Sequence, residues 1–270
     1  MARILEKSQD TGFLRQFVSG EMDMDRTDYL LRDSKHCGVD YGIFDFRRLI
    51  SSLTVVVNPD TRLLQLAIER GGEHTFEALI LARYQMNTQV YFHKIRRIYD
   101  YYLTEYMKLW APEHYPTLDD VLQHDDETVM GEIRKDAKAD NERTRWAKRI
   151  VERVHHRVVY ETGDSADIAK LKKARRLLDE LQKDFESMDF FLDDCKISIH
   201  KLAIPGDQEE ETADDLYIRE KDGRQISLAG DSAIIGKVPK SVRSVRIFAD
   251  ATGDVLEKIR SKVKEVESTV

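Results

Sequence analysis

Cysteine, proline and long apolar runs are what this chain has least of. Its 270 residues include two cysteines, Cys37 and Cys195, far apart in sequence. That scarcity excludes a disulfide framework and leaves a reduced, cytosolic pair as the expectation. No apolar stretch approaches the ~20 residues that cross a bilayer, so no membrane partner is expected. The opening run Met1-Ala2-Arg3-Ile4-Leu5-Glu6-Lys7 contains no continuous apolar segment. A secretory signal needs one, which again points to the cytoplasm. A glycine-rich phosphate loop is missing too, and Gly71-Gly72 reads as a turn before a helix. Excess basic charge is also absent. The net charge is -7, which makes nucleic acid an unlikely partner in the absence of a local basic patch.

What is present is a charge-rich globular composition, 41% hydrophobic and 34% charged, with ample apolar material for a core. The densest chemistry lies in Gly20-Glu21-Met22-Asp23-Met24-Asp25-Arg26-Thr27-Asp28-Tyr29-Leu30-Leu31-Arg32-Asp33-Ser34. At ~100° per residue, Asp25, Tyr29 and Asp33 share one helical face, with Arg26 at its edge. Met24, Thr27, Leu30 and Leu31 occupy the other. Asp23 is placed to cap the first turn, Gly38 to stop the helix, and Arg32 to pair with Asp28. A solvated amphipathic helix accounts for such a pattern by itself. A carboxylate, a phenol and a guanidinium on one face can also grip a metal, a sugar and a phosphate.

The run Asp23 to Ser34, followed by Gly38-Val39-Asp40-Tyr41-Gly42 and Phe44-Asp45, resembles a segment of the HD-domain phosphohydrolases. Within them it is most similar to the deoxynucleoside triphosphate triphosphohydrolases. A second block, Ala82-Arg83-Tyr84-Gln85-Met86 with Val90-Tyr91-Phe92-His93-Lys94, matches in the same order and separation. The resemblance covers roughly residues 13 to 110. It implies that Asp25 is a metal ligand and that Arg26 meets a triphosphate oxygen. Tyr29 would wall the sugar, and Asp33 would accept from a 3′-hydroxyl. Arg83 would contact phosphate through its planar fork, and Tyr91 would line the deoxyribose pocket. His93 and Lys94 match an effector-nucleotide or interface position. A divalent metal (Mn, Mg, Fe or Zn) and a dNTP substrate are implied, as is self-association or a complementary HD-bearing chain.

The family's remaining ligands, a His and a His-Asp pair, precede the final Asp. Here the earliest histidine is His36, and His124-Asp125 lies downstream in a polar stretch. The expectation is therefore the C-terminal portion of such an enzyme, with an incomplete metal site and no activity of its own. A fragment, a split-enzyme subunit and a degenerate homologue all remain open. The rival reading is a non-catalytic, HD-derived scaffold or partner-binding subunit. His155-His156, being adjacent, diverge on a helix and point to packing rather than to chelation.

The periodicities predict a mainly α fold, an HD-like helical portion over 1–190 with a small hairpin, followed by a small α+β subdomain over 191–270. Short helices are expected over 9–19 and from Phe44 to Leu53. The hairpin joins Thr54–Val57 to Leu63–Ile68 around Asn58-Pro59-Asp60. One long helix is expected from Glu73 to Trp110, placing Arg83, Asn87, Tyr91 and Lys94 on a polar stripe. Further helices fall near 117–124, 126–137, 140–155 and 166–188. In the tail, strands are expected over 196–202, 216–219, 225–228 and 241–249, and a last helix over 253–266.

Overall fold

The computed structural model describes residues 12–59, 61–114, 117–202 and 216–269. They form two compact units. One draws on Met1–Val90 and Lys196–Val242, the other on Tyr91–Cys195 and Arg243–Val270. Each unit thus takes residues from both sides of position 190. Helices predominate, with two small sheets, as the mainly α reading with a small α+β portion expected.

The first unit opens with α1 (Gly12–Ser19) and α2 (Met24–Cys37). Asp23 caps α2 by accepting from the Arg26 N–H at 2.7 Å, and Gly38 ends it in the left-handed region at φ 68°. The Val39 N–H closes the cap on the Ser34 carbonyl at 3.1 Å, a Schellman arrangement. Leu30 is fully buried on the back of α2. Ser34 Oγ donates to the Val39 carbonyl and accepts from the Gly42 N–H, tying the following loop to the helix. Gly42 is required there, because a Cβ would lie 2.3 Å from the Leu30 carbonyl oxygen.

Next come α3 (Phe46–Ser51) and the antiparallel pair β1 (Leu53–Val57) and β2 (Leu64–Glu69), the expected hairpin. Helix α4 (Glu73–Met86) packs against α2 and buries Phe76, Leu79, Ile80 and Met86. The hairpin β5 (Tyr217–Arg219) and β6 (Gln225–Ser227) turns at Asp222-Gly223 as expected. Its β5 pairs parallel to β2, so the sheet runs β1-β2-β5-β6.

The single long helix expected from Glu73 to Trp110 is interrupted. Helix α4 stops at Met86, Asn87–Tyr91 is a π turn, and α5 runs Lys94–His114, past Pro112. Asn87 Nδ2 donates to the Arg83 carbonyl at 2.7 Å, and Thr88 Oγ1 donates to the Tyr84 carbonyl at 3.1 Å. These carbonyls thus carry side-chain donors where the ladder slips to the wider spacing of the π turn. A regular helical stripe through Arg83, Asn87, Tyr91 and Lys94 therefore does not form.

In the second unit, α5 packs with α8 (Thr144–Val151), which also meets α7 (Asp126–Asp136). The short α6 (Leu118–Leu122) precedes them. Trp110, Tyr106, Ile133 and Ala147 form the core between these helices. Strand β3 (Arg157–Glu161), which periodicity missed, pairs antiparallel with β7 (Ser241–Ala249) in the order β3-β7-β4. Strand β4 spans Phe190–Ser198, several residues ahead of the expected 196–202. Helices α9 (Ile168–Asp184) and α11 (Gly253–Thr269) bury Leu171, Leu177, Leu181, Ile259 and Val263 with that sheet. The one-turn α10 (Leu228–Asp231) belongs to the first unit.

Candidate functional site

Within the first unit, the chemistry gathers where α2 lies against α4. The segment leading into α2 is buried, with Glu21 and Asp23 as inaccessible as the core around them. Arg83, on α4, is buried as well, and its Nη1 meets Glu21 Oε2 at 2.8 Å. The other Glu21 oxygen accepts the Lys201 N–H at 2.9 Å. A charge removed from water needs such a partner. The partner is Glu21, which precedes α2, and not one of the α2 aspartates. Burial pulls the Arg83 pKa down, and Glu21 acts against that shift.

Arg26 folds back on the start of α2. Its Nε lies 3.1 Å from Asp23 Oδ2, and Nη1 donates to the Gly20 carbonyl at 3.1 Å. Tyr29 is half-buried on the same helix. Burial raises its pKa, while Arg83 and then Arg26 oppose the rise. The phenol therefore stands in the field of both guanidinium groups. Asp25 is exposed at the first turn, and Asp33 is half-buried two turns on. Arg32 pairs with Asp28 at 3.1 Å, as expected of an exposed i,i+4 pair.

Two buried polar residues nearby escaped the sequence reading as site residues. His200 is 1% exposed; its Nε2 faces the Val238 carbonyl at 3.2 Å, and Nδ1 has no hydrogen-bond partner among the described residues. Burial lowers the His200 pKa, with Glu21 opposing and Arg83 and Lys240 reinforcing the shift. Asn87 is also buried, and its Oδ1 meets no donor among the described residues. For His200 the available signal was one polar residue ending an alternating apolar run.

Tyr91, His93 and Lys94 belong to the second unit. Tyr91 ends the π turn, half-buried, and its carbonyl accepts from Arg96 Nη1 at 2.7 Å. His93 is exposed, and its Nδ1 accepts the Ile95 N–H at 3.3 Å, which caps α5. Lys94, also exposed, opens that helix.

The remaining candidates are structural. His156 is buried, with Nδ1 2.6 Å from Tyr102 Oη and Nε2 3.3 Å from Asp189 Oδ2. The His156 N–H donates to the same phenol oxygen at 2.7 Å, so the phenol proton goes to Nδ1 and Nε2–H faces the carboxylate. Asp125 caps α7 through the Thr128 N–H. Cys37 is exposed and Cys195 buried, both free; burial pushes the Cys195 thiol up to about 11.

Among the described residues, no group of three or more His, Cys, Asp or Glu side chains is placed to hold a metal ion. Asp25, a lone exposed carboxylate, does not fit that role by itself, since such metals need several convergent ligands.

Residues 44–189 match the family described as the HD associated region, and the chain belongs to it. The match relates the chain to the HD superfamily. Among relatives, YwfO, an uncharacterized protein of Bacillus subtilis (strain 168), is 32% identical over 149 residues. An uncharacterized Methanocaldococcus jannaschii protein, MJ1154, is 33% identical over 119 residues. These matches take in 48% and 44% of this chain but only 33% and 26% of those proteins. The crystal structure of a hypothetical protein from Aquifex aeolicus superposes with a TM-score of 0.74 at 26% identity, covering 97% of this chain and 63% of that one. A phosphohydrolase from Bacteroides thetaiotaomicron superposes at a TM-score of 0.62 and 21% identity, covering 89% and 65%. At that identity the likeness is one of fold.

Proposed function

We propose that this chain serves an HD-type nucleotide phosphohydrolase acting on deoxynucleoside triphosphates, and that its part is to grip sugar and phosphate on the α2–α4 face. The carrying observation is the half-buried Tyr29 phenol under the influence of both Arg83 and Arg26. In this reading Tyr29 walls the deoxyribose. Asp33, an acceptor-only carboxylate, takes the 3′-hydroxyl. Arg83 and Arg26 meet phosphate oxygens, which compete with Glu21 and Asp23 for them. Asp25 is one metal ligand, and the others come from outside the described residues. His93 and Lys94 serve an effector-nucleotide or subunit interface, formed by self-association or with a complementary HD-bearing chain. The exposed capping role of His93 leaves its Nε2 available for that.

Calorimetric titration of the full chain with dGTP and with GTP tests the proposal. Binding of dGTP should weaken at least about tenfold in Arg83→Gln and in Arg26→Gln, the loss of a charge-assisted contact. Asp33→Asn should erode the affinity as well. Absence of binding, or equal affinity in wild type and all three variants, would refute the assignment.

A further inference from the structure

Helix α9 runs against a rule that most helices keep. A helix N-terminus carries partial positive charge, so a cation in its first turn, here Lys170, is disfavoured. Apart from the capping Asp167, the first turn of α9 holds no acid. Lys170, Lys172 and Lys173 follow, with Arg175 and Arg176 a turn later. Lys172 and Arg176 stand four residues apart, Lys173 and Arg176 three apart, spacings at which like charges repel. Lys170 Nζ donates to the Ser165 carbonyl at 3.2 Å. Lys172, Lys173 and Arg176 have no ion-pair partner among the described residues, whereas Lys262 on the adjacent α11 is paired with Asp184 at 3.1 Å.

These cations border an open groove of about 430 Å³ between α9 and α11. Ala169 and Leu177 line it from α9, and Val266 lines it from α11. Asp167 and Glu180 mark the two ends of its α9 wall, so four cations outnumber two carboxylates in a chain of net charge -7. At ~1.5 Å per residue the wall from Asp167 to Glu180 runs about 20 Å. That length matches about six residues of extended chain, whose side chains alternate between two faces. An apolar side chain at every second position would fill the Ala169–Leu177–Val266 floor, and carboxylates between them would meet the rim. A free phosphate would satisfy the rim and leave the floor empty.

We propose that the α9–α11 groove docks an extended, acidic segment of a partner protein with alternating apolar anchors. The unpaired cations then cost α9 some stability in the free chain and are neutralised in the complex, a local conflict of the kind functional sites show. This inference stands independently of the nucleotide reading.

The test is fluorescence anisotropy of the full chain with a labelled Glu-Leu-Glu-Val-Glu-Leu-Glu peptide. Saturable binding is expected. It should weaken at least about tenfold when Lys172→Glu, Lys173→Glu and Arg176→Glu are combined, and when salt rises from about 50 mM to about 500 mM. Lys138→Glu, exposed elsewhere in the same unit, should leave it unchanged. The combined Lys172→Gln, Lys173→Gln and Arg176→Gln variant should unfold at the same temperature or higher, since it removes the like-charge pairs three and four residues apart. Absent binding, equal binding of the Lys-for-Glu peptide, or indifference to the Glu triple variant would overturn the proposal. So would a Gln triple variant that unfolds earlier, because the cluster would then be structural. Tripolyphosphate or single-stranded DNA that binds through these cations while the peptide does not would also overturn it.

Discussion

Removing Glu21 probes the buried ion pair behind α2. Its carboxylate meets Arg83 Nη1 at 2.8 Å, the two side chains being 5% and 6% exposed. The second oxygen takes the Lys201 N–H at 2.9 Å. Burial lowers the Arg83 pKa, but a guanidinium keeps its proton in a protein. Glu21→Ala therefore leaves a full buried charge, with Arg26 nearby adding repulsion and the Lys201 N–H losing its acceptor. Breaking a buried pair from one side costs about 3–5 kcal/mol. The exposed Asp28–Arg32 pair, at 65% and 56% exposure, supplies the control. Asp28→Ala should cost no more than about 0.5 kcal/mol.

With roughly 2–4 °C of Tm per kcal/mol for domains of about 150–250 residues, Glu21→Ala should lower a transition by about 6 °C or more. Scanning calorimetry is the appropriate assay, because two units need not melt as one. The combined Glu21→Met and Arg83→Met variant should recover most of the loss, since apolar replacement of both partners removes the desolvation cost. A Glu21→Ala midpoint matching that of Asp28→Ala, or a double variant no better than the single, would refute the reasoning.

Four further outcomes are expected. Burial depresses the His200 pKa, so below about pH 6.5, the ordinary imidazole value, the unfolded chain binds a proton that the folded one resists. Stability then falls with pH at up to about 1.4 kcal/mol per unit, and His200→Gln should flatten that part of the urea-measured profile; unchanged slopes would contradict it. Gly42→Ala forces a Cβ to 2.3 Å from the Leu30 carbonyl; it should displace the loop behind α2 and lower Tm more than Gly38→Ala, which meets nothing within 4 Å and costs about 1–2 kcal/mol for its left-handed backbone. Tyr102→Phe leaves the His156 N–H without its 2.7 Å acceptor, and denaturant titration should show a loss of about 1–3 kcal/mol. Incubated with manganese and a dNTP, the purified chain should release no triphosphate above the blank; turnover that vanishes in Asp25→Ala would show the ligands to be misassigned.

Much of the fold was legible because its signals are local. Asp23 and Gly38 bound α2 through backbone geometry that their own side chains permit. Asn58-Pro59 and Asp222-Gly223 mark the two hairpins between residues of strand type. What escaped was decided by tertiary pairing or lies at a break within a helix. Residues Arg157–Glu161 become a strand because β7 lies beside them. The break after Met86 coincides with an Asn and a Thr that return to the preceding turn, residues that ordinary helices tolerate. The parallel pairing of β5 with β2 joins segments about 150 residues apart, and no periodicity carries that information.

The candidate site divides the same way. The face bearing Asp25, Tyr29 and Asp33 follows from helical spacing alone, and the structure gives that spacing a firm base in the Ser34–Val39–Gly42 tie. The acid that holds Arg83 could not be read from spacing, since Glu21 and Arg83 lie 62 positions apart. That pairing bears on the chemistry proposed for α2 and α4. An arginine already held by a buried carboxylate is pre-oriented, and less conformational freedom is lost when a phosphate arrives. It must also exchange one anion for another, so phosphate affinity and the stability of the first unit draw on the same contact. Substitutions at Glu21 should therefore trade one against the other. Glu21→Gln, which keeps the shape and the Lys201 acceptor but removes the charge, is the variant in which phosphate binding should tighten while stability falls.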